Sequence, residues 1–210
     1  MNKKYLSENW IKITPFLFSL LAIMVSVKSC ITADESFKLS HDQYKSEHYI
    51  VLNSKIKDSE ILLTTTDPNI LLQRGALYLP SKIQKDRIEI LPPNKSIHTT
   101  RFLSNLQNLI KQNIAPKEGT VAVNIDAFIP VVIESYYVAK GTTFGDRSLY
   151  FLTFQFVVDD DKTNLPEITF TGLTFIERID LNNKDYRKEL DNIFNSEKGL
   201  YIPYNSVDNN

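Results

Sequence analysis

The chain contains 210 residues, with 24 basic and 25 acidic side chains and a formal net charge of −1 at pH 7. The balanced charge, without a cluster of Lys and Arg, predicts no nucleic-acid partner, and the scarcity of glycine argues against glycine-rich phosphate loops. The single cysteine, Cys30, lies near the N-terminus, so disulfides and cysteine zinc sites are excluded from the sequence that follows it.

An uncharged run at residues 13–27 follows the N-terminal flank, residues 1–12, and predicts a transmembrane anchor over 13–31. The run alone rises about 22 Å as a helix, so a hydrocarbon layer of roughly 30 Å requires helical residues on both sides of it. Lysine side chains beside the run can extend to the lipid headgroups, and a tryptophan suits the interface. The predicted anchor residues in the lipid bilayer are Trp10, Lys12, Phe16, Leu17, Leu20, Leu21, Ile23, Met24, Val27 and Lys28.

Two other interpretations of this run stay open. A cleaved signal peptide fits the basic residues before the run, although small residues are hard to place at the cleavage positions around residues 27–30. A buried helix of a soluble protein is the second.

Lysine counting on the two sides of the run favours a cytoplasmic N-terminus by one residue. The predicted location is therefore the inner or cell membrane, with the following domain outside the cytoplasm.

Beyond the anchor, residues 32–52 predict an amphipathic stalk that continues the transmembrane helix. Its apolar and aromatic positions step by 4, 3, 4 and 3 residues, which places them on one helix face. The predicted stalk interface consists of Phe37, His41, Tyr44, His48 and Val51. This face predicts self-association or contact with a protein partner. Its two histidines lie about 10 Å apart along a helix, too far to bind one metal ion.

Residues 53–204 show the alternation and the turn residues of β-strands. Pro130, inside the long run 128–138, predicts an edge strand, a bulge or a break. Residues 141–146 predict the turn of a hairpin, and an aromatic strand over 149–158 follows it. Further strands are predicted over 61–66, 70–79, 87–91, 121–126 and 168–176.

Two short helices are predicted among the strands. The first has Ser96 or Thr99 as its N-cap, and its apolar face consists of Leu103, Leu106, Ile110 and Ile114. The second has Asn183 as its N-cap, and its apolar face consists of Tyr186, Leu190, Ile193 and Phe194. The predicted fold is mainly β, an antiparallel β-sandwich with two short helices, preceded by the transmembrane helix and its stalk. Residues 205–210 form a polar tail.

Motifs for catalysis, cofactor binding and metal binding are missing, so the sequence predicts no catalytic residue, no cofactor and no metal ligand. Residues 159–164 begin like a calcium loop but lack its sixth-position glycine, which favours a solvated turn. Asp146 and Arg147, assigned to the hairpin turn near Glu134, are either a charged binding edge or an ordinary charged loop. His98 is the only histidine of the predicted β-domain.

These features favour a non-catalytic, single-pass membrane protein that presents a binding or interaction domain at the membrane surface. One alternative is a membrane-tethered enzyme with its site in the loops at one end of the sandwich. Another is an accessory subunit of a larger membrane complex. The order of a short anchor, a stalk and a β-rich domain resembles that of small bacterial membrane-anchored proteins, and this resemblance implies no site residues.

Overall fold

The computed structural model describes residues 3–46, 48–161, 163–196 and 205–206, and the side chains of 3–14, 17, 41–43, 45–46 and 205–206 lie outside the description. The predicted anchor residues Trp10, Lys12 and Leu17 and the predicted stalk residue His41 belong to that group. The chain divides into two compact units, Met1–Tyr49 and Ile50–Asn210.

The first unit is a single helix, α1 (Lys3–Ser46), which contains the predicted anchor and most of the predicted stalk. Among the residues that the structure describes, no helix is long and apolar enough to cross a bilayer, so the predicted transmembrane helix is not supported.

The predicted stalk is too long at its C-terminal end. Helix α1 ends at Ser46, and His48 lies in the turn that follows, so neither His48 nor Val51 continues the helical stripe. The ring of His48 packs on Tyr44 with 4.4 Å between centroids, and its Nδ1 lies 2.5 Å from the Tyr44 carbonyl oxygen. Phe37 and Tyr44 are exposed on the described part of the helix.

The second unit confirms the prediction of a mainly β, antiparallel fold, since its described residues form two antiparallel sheets. The described strands are β1 (Leu52–Lys57), β2 (Glu60–Thr65), β3 (Ile70–Tyr78), β4 (Ile88–Ile90), β5 (Ser96–His98), β6 (Ala122–Ala139), β7 (Thr142–Val158), β8 (Glu167–Arg178) and β9 (Asn205–Ser206). A three-stranded sheet has the order β1-β2-β5, and a larger sheet has the order β4-β3-β6-β7-β8, with β9 paired to β6. Two helices, α2 (Leu103–Asn113) and α3 (Tyr186–Asn195), complete the described part of this unit, with a 3-10 turn at Thr99–Arg101.

Side chains from both sheets and from α2 meet in one hydrophobic core. The alternation read from the sequence determines which side chains point inward, because successive residues of a strand face opposite sides of the sheet. Fully buried members include Ile61 and Ile97 from the small sheet, Ile129, Tyr150 and Phe154 from the large sheet, and Leu106 and Ile110 from α2.

Pro130 lies within the long strand β6, so the predicted break is wrong, but at this position β6 is paired on one side only among the described residues, which agrees with the predicted edge position. Strand β6 is continuous, and Pro130 pairs with Phe151 of β7. On the opposite side, β3 pairs with β6 only as far as Val132, so no β3 residue requires an N–H from Pro130. A β-bulge does occur, but it lies between Asn124 and Ala127.

The hairpin turn between β6 and β7 is shorter than predicted. It consists of Lys140 and Gly141, whose φ angles of 48° and 80° are typical of two-residue hairpin turns. Residues 142–144, Thr-Thr-Phe, suit a strand and belong to β7. Asp146 and Arg147 therefore lie inside a strand and not in a turn.

Both helix N-caps differ from the predicted residues. The N-cap of α2 is Phe102, because Ser96 belongs to β5 and Thr99 to the 3-10 turn. The N-cap of α3 is Asp185, and Asn183 instead accepts a hydrogen bond from the Asp185 backbone N–H at 2.8 Å. The apolar faces are as predicted: Leu106 and Ile110 of α2, and Leu190 and Phe194 of α3, are buried.

Helix α3 covers part of the outer face of the large sheet, the face that points away from the shared core. Leu190, with Tyr186 and Ile193 around it, packs on a second small apolar cluster. That cluster consists of Ala76 and Tyr78 of β3, Val132 of β6 and Leu149 of β7. A polar region of the same face lies beside this cluster on strands β4, β3 and β6.

Candidate functional site

A small cavity opens on the outer face of the large sheet, across three adjacent strands. Its volume is about 200 Å³, and its lining residues are Arg74, Gly75, Ala76, Arg87, Glu89, Glu134 and Tyr136. Ligand pockets that enclose a whole small molecule typically measure roughly 300–1,000 Å³. The cavity therefore fits one polar group of a larger molecule better than a complete cofactor. We refer to it below as the outer-face cavity.

A β-bulge in β3 brings Arg74 to this cavity. Leu72 pairs with Tyr137, and Arg74 is the next paired residue, opposite Tyr136, so Gln73 is the extra residue. Bulges redirect the side chains that follow them, and without this one Gln73 would face Tyr136. The Arg74 guanidinium carbon instead lies 4.8 Å from the centroid of the Tyr136 ring, a cation–π contact.

Glu134 is the polar centre of the site. Its Oε2 accepts a hydrogen bond from the Tyr78 hydroxyl at 3.0 Å, and its Oε1 accepts one from the Tyr136 hydroxyl at 3.4 Å. Arg147, directly opposite on β7, donates to Oε1 from Nη2 at 3.5 Å. Burial, with hydrogen bonds between Tyr78 and both Tyr186 and Glu134, raises the pKa of Tyr78 far above its ordinary range. Tyr78 therefore remains a donor to the carboxylate throughout the physiological range.

Arg147 holds the loop between β8 and α3 in place. Its Nη1 donates to the carbonyl oxygens of Asp180, Leu181 and Asn183 at 3.4, 3.2 and 3.0 Å. Its guanidinium carbon lies 4.1 Å from the centroid of the Tyr186 ring. The side chain is only 9% exposed, and its Nε has no hydrogen-bond partner among the described residues. Arg147 thus neutralises Glu134 from within the protein and supports the loop next to the cavity.

A second ion pair, between β7 and β8, lies on the opposite, inner face of the large sheet. Arg178 Nε lies 3.2 Å from Asp146 Oδ1, and the Ser148 hydroxyl donates to Asp146 Oδ2 at 2.6 Å. Burial raises the pKa of the Asp146 carboxyl, against the lowering effects of Ser148 and Arg178. Tyr150 nearby accepts a hydrogen bond from the Leu52 backbone N–H at 3.1 Å, and burial raises the pKa of its hydroxyl to about 12.

The acidic segment at 159–164 hydrogen-bonds within its own surroundings. Asp160 Oδ2 accepts from the Gly119 N–H at 2.6 Å, and Asp161 Oδ1 accepts from the N–H and the hydroxyl of Thr163, both at 2.7 Å. These hydrogen bonds hold the Asp161 carboxyl at a pKa below its ordinary value. Within the described residues, no group of three or more His, Cys, Asp and Glu side chains is arranged to hold a metal ion.

The predicted site residues are not brought together in one place. His98 lies at the surface of the small sheet, with Nδ1 at 3.2 Å from Glu60 Oε1. The predicted proximity of Arg147 to Glu134 is correct, but it arises from direct pairing of two long strands and not from a turn.

Sequence reasoning missed the residues of β3 and β4 that line the cavity. Arg74 and Arg87 are separated from Glu134 by 45 residues or more, and only the pairing of strands brings them together. One signal was available in the long strand: Glu134 and Tyr136 place two polar groups on the same face of an otherwise apolar run. The sequence around Gln73 contains no comparable signal for the bulge.

Comparison with known proteins gives no relative from which a function can be transferred. No protein-family model matches the chain, and neither the curated proteins nor the solved structures contain a significant match. Only the geometry of the site therefore bears on the function of the chain.

Proposed function

We propose that this chain is a non-catalytic binding protein whose β-unit recognises a polar group of a protein partner in the outer-face cavity. The observation that carries this proposal is the cavity itself, which is small, polar and built from three strands of a rigid sheet. The carboxylate at its centre already accepts hydrogen bonds from Tyr78, Tyr136 and Arg147. Three donors occupy most of the roughly four acceptor sites of a carboxylate, an arrangement that suits recognition better than proton transfer.

We further propose that α1 holds the β-unit at a membrane, in a single-pass arrangement. Large apolar side chains are exposed along the helix, including Phe16, Phe18 and Met24, which are 70, 67 and 64% exposed. An exposed apolar surface of this extent indicates contact with lipid or with another chain. The lysines on both sides of the run support lipid contact, because they can extend to the headgroups. The lysine count supports a β-unit outside the cytoplasm.

Alkaline carbonate extraction of cells that produce the full chain tests the membrane part of this proposal. We expect the protein in the membrane pellet, and recovery in the supernatant would overturn the proposal. In a double variant, Leu20→Lys with Leu21→Lys, we expect a shift to the soluble fraction, because each charge in the apolar layer costs about 2.5–3.5 kcal/mol. The matched control is Leu71→Lys with Leu91→Lys, which charges two exposed leucines of the β-unit and should leave the distribution unchanged.

Protease treatment of intact cells that carry a C-terminal tag tests the orientation. Cleavage of the tag without lysis is the expected result, whereas protection until lysis would place the β-unit in the cytoplasm. Turnover of a substrate by the purified chain in a broad hydrolase and transferase screen would contradict the non-catalytic assignment.

A further inference from the structure

Arg74 is the one charged group of the outer-face cavity without a charged or hydrogen-bonded partner among the described residues. Arg87 Nε pairs with Glu89 Oε1 at 2.7 Å, and Glu134 is held by Arg147. Arg74 makes only its cation–π contact with Tyr136. A guanidinium that lies over an aromatic ring keeps its in-plane N–H groups available for a planar oxyanion.

The charges around the cavity favour a ligand group with one negative charge. Two arginines and two glutamates line it, so the lining alone is electrically balanced. Arg147 beside Glu134, and Arg187, whose guanidinium carbon lies 5.3 Å from the centroid of the Tyr78 ring, add positive charge close by. The surroundings therefore attract an anion, and because Glu89 and Glu134 themselves line the cavity, like-charge repulsion disfavours a phosphate dianion more than a monoanion.

The geometry and the charge lead to one ligand class. We infer that the outer-face cavity binds a carboxylate group, with Arg74 as its bidentate donor and Arg87 as a secondary source of positive charge. This inference rests on the proposed binding function and specifies its ligand. The volume of about 200 Å³ accommodates a carboxylate and a short stem, so the rest of the ligand lies outside the cavity.

Titration of the detergent-purified full chain with two matched probes tests this inference. N-acetylglycine carries the carboxylate, and N-acetylglycinamide has the same skeleton without the charge. We expect the carboxylate to bind at least about tenfold more tightly than the amide, since charge-assisted bidentate hydrogen bonds are lost in the amide. Equal affinities, or no saturable binding of N-acetylglycine, would overturn the inference. Inorganic phosphate is the third probe, and tighter binding of phosphate than of N-acetylglycine would also overturn it.

Binding of N-acetylglycine to variants of the chain tests whether Arg74 is the residue that holds the carboxylate. We expect Arg74→Gln to weaken N-acetylglycine binding at least about tenfold, Arg74→Lys to weaken it less, and Arg87→Gln to have the smallest effect of the three. Arg101→Gln, on the exposed 3-10 turn next to the small sheet, is the matched control and should bind like the unmodified chain. Unchanged binding in Arg74→Gln would place the carboxylate elsewhere and contradict the inference. Thermal unfolding of each variant shows that the fold is kept, which is expected because Arg74 is exposed.

Two peptides distinguish the sources of the carboxylate. One has a free C-terminus and no acidic side chain, and the other has an amidated C-terminus and one internal aspartate. Binding of either peptide in an Arg74-dependent manner supports the inference and identifies the source, and binding of neither contradicts it. Failure here leaves the membrane fractionation result intact, so the two proposals can fail separately.

Discussion

The two ion pairs on β6, β7 and β8 differ in their surroundings although Asp146 and Arg147 are adjacent in sequence. On the outer face, Arg147 and Glu134 belong to a network with tyrosine hydroxyls and three loop carbonyls. On the inner face, Asp146 and Arg178 lie at the edge of the hydrophobic core, with Ser148 as a further donor. The outer carboxylate accepts hydrogen bonds from three donors, whereas burial is the dominant influence on the pKa of the inner carboxyl. Two adjacent, oppositely charged residues of one strand therefore belong to ion pairs with different surroundings.

Separate removal of Arg147 and of Arg178 should give the largest difference in the free energy of unfolding between the two ion pairs. We expect Arg147→Met to lower the free energy of unfolding by about 3–5 kcal/mol, because Glu134 loses its charged partner and three carbonyls lose a donor. Arg178→Met should cost about 1–3 kcal/mol, since its side chain is 28% exposed and the lone Asp146 can take up a proton. Denaturant unfolding of both variants measures the difference. A larger loss in Arg178→Met would reverse the comparison.

A substitution in β3 tests how closely the outer network depends on strand spacing. A Cβ at Gly75 would lie 2.7 Å from the Glu134 carbonyl oxygen, so Gly75→Ala must displace β3 from β6. We expect a loss of about 1–3 kcal/mol in the free energy of unfolding. Gly172→Ala in β8 is the control, because its Cβ would meet the Thr153 hydroxyl at an ordinary 3.5 Å. Equal losses in the two variants would contradict the close approach at Gly75.

Two tyrosine-to-phenylalanine changes compare single hydrogen bonds on the two faces. Tyr150→Phe leaves the buried Leu52 N–H without its acceptor, and we expect it to cost about 1–3 kcal/mol. Tyr78→Phe should cost about 1 kcal/mol, because Glu134 keeps Tyr136 and Arg147 as donors. Thermal unfolding under identical conditions gives the order, and a larger shift for Tyr78→Phe would show that the outer network depends on this hydroxyl.

The smallest expected effect is a dependence of stability on acidic pH that belongs to Asp146. Its pKa is raised in the folded state, so folded protein retains the proton up to a higher pH than the unfolded chain, whose aspartate has a pKa of about 3.9. The contribution of this group to stability is greatest below that value and declines as pH rises through the raised pKa. The difference in unfolding free energy between the unmodified chain and Asp146→Asn should therefore decrease with increasing pH in this window. A difference that rises with pH would contradict the dominance of burial.

Local sequence patterns were sufficient for the fold class and for many elements of the β-unit. Strand alternation predicted β2, β3 and β4 closely, and apolar spacing predicted α2 and α3, because these signals depend on neighbouring residues alone. Strand order and register depend on residues far apart in the chain, so the contact of Arg74 with Tyr136 could not be predicted. For the N-terminal run, local composition was not sufficient. It suggested a transmembrane helix, which the described residues do not support.

The extra residue in β3 has a consequence for the way in which the lining of the outer-face cavity can change. Pairing on one side of Gln73 includes Leu72 with Tyr137, and pairing on the other side includes Gly75 with Ser135. Loss of Gln73 would remove the bulge and keep Arg74 opposite Tyr136, whereas loss of Arg74 would place Gln73 opposite Tyr136, and in both cases the core-facing partners on either side would keep their places. Deletion of the Arg74 codon would thus replace a charged guanidinium by an uncharged amide at the outer-face cavity without a shift in the register of the core.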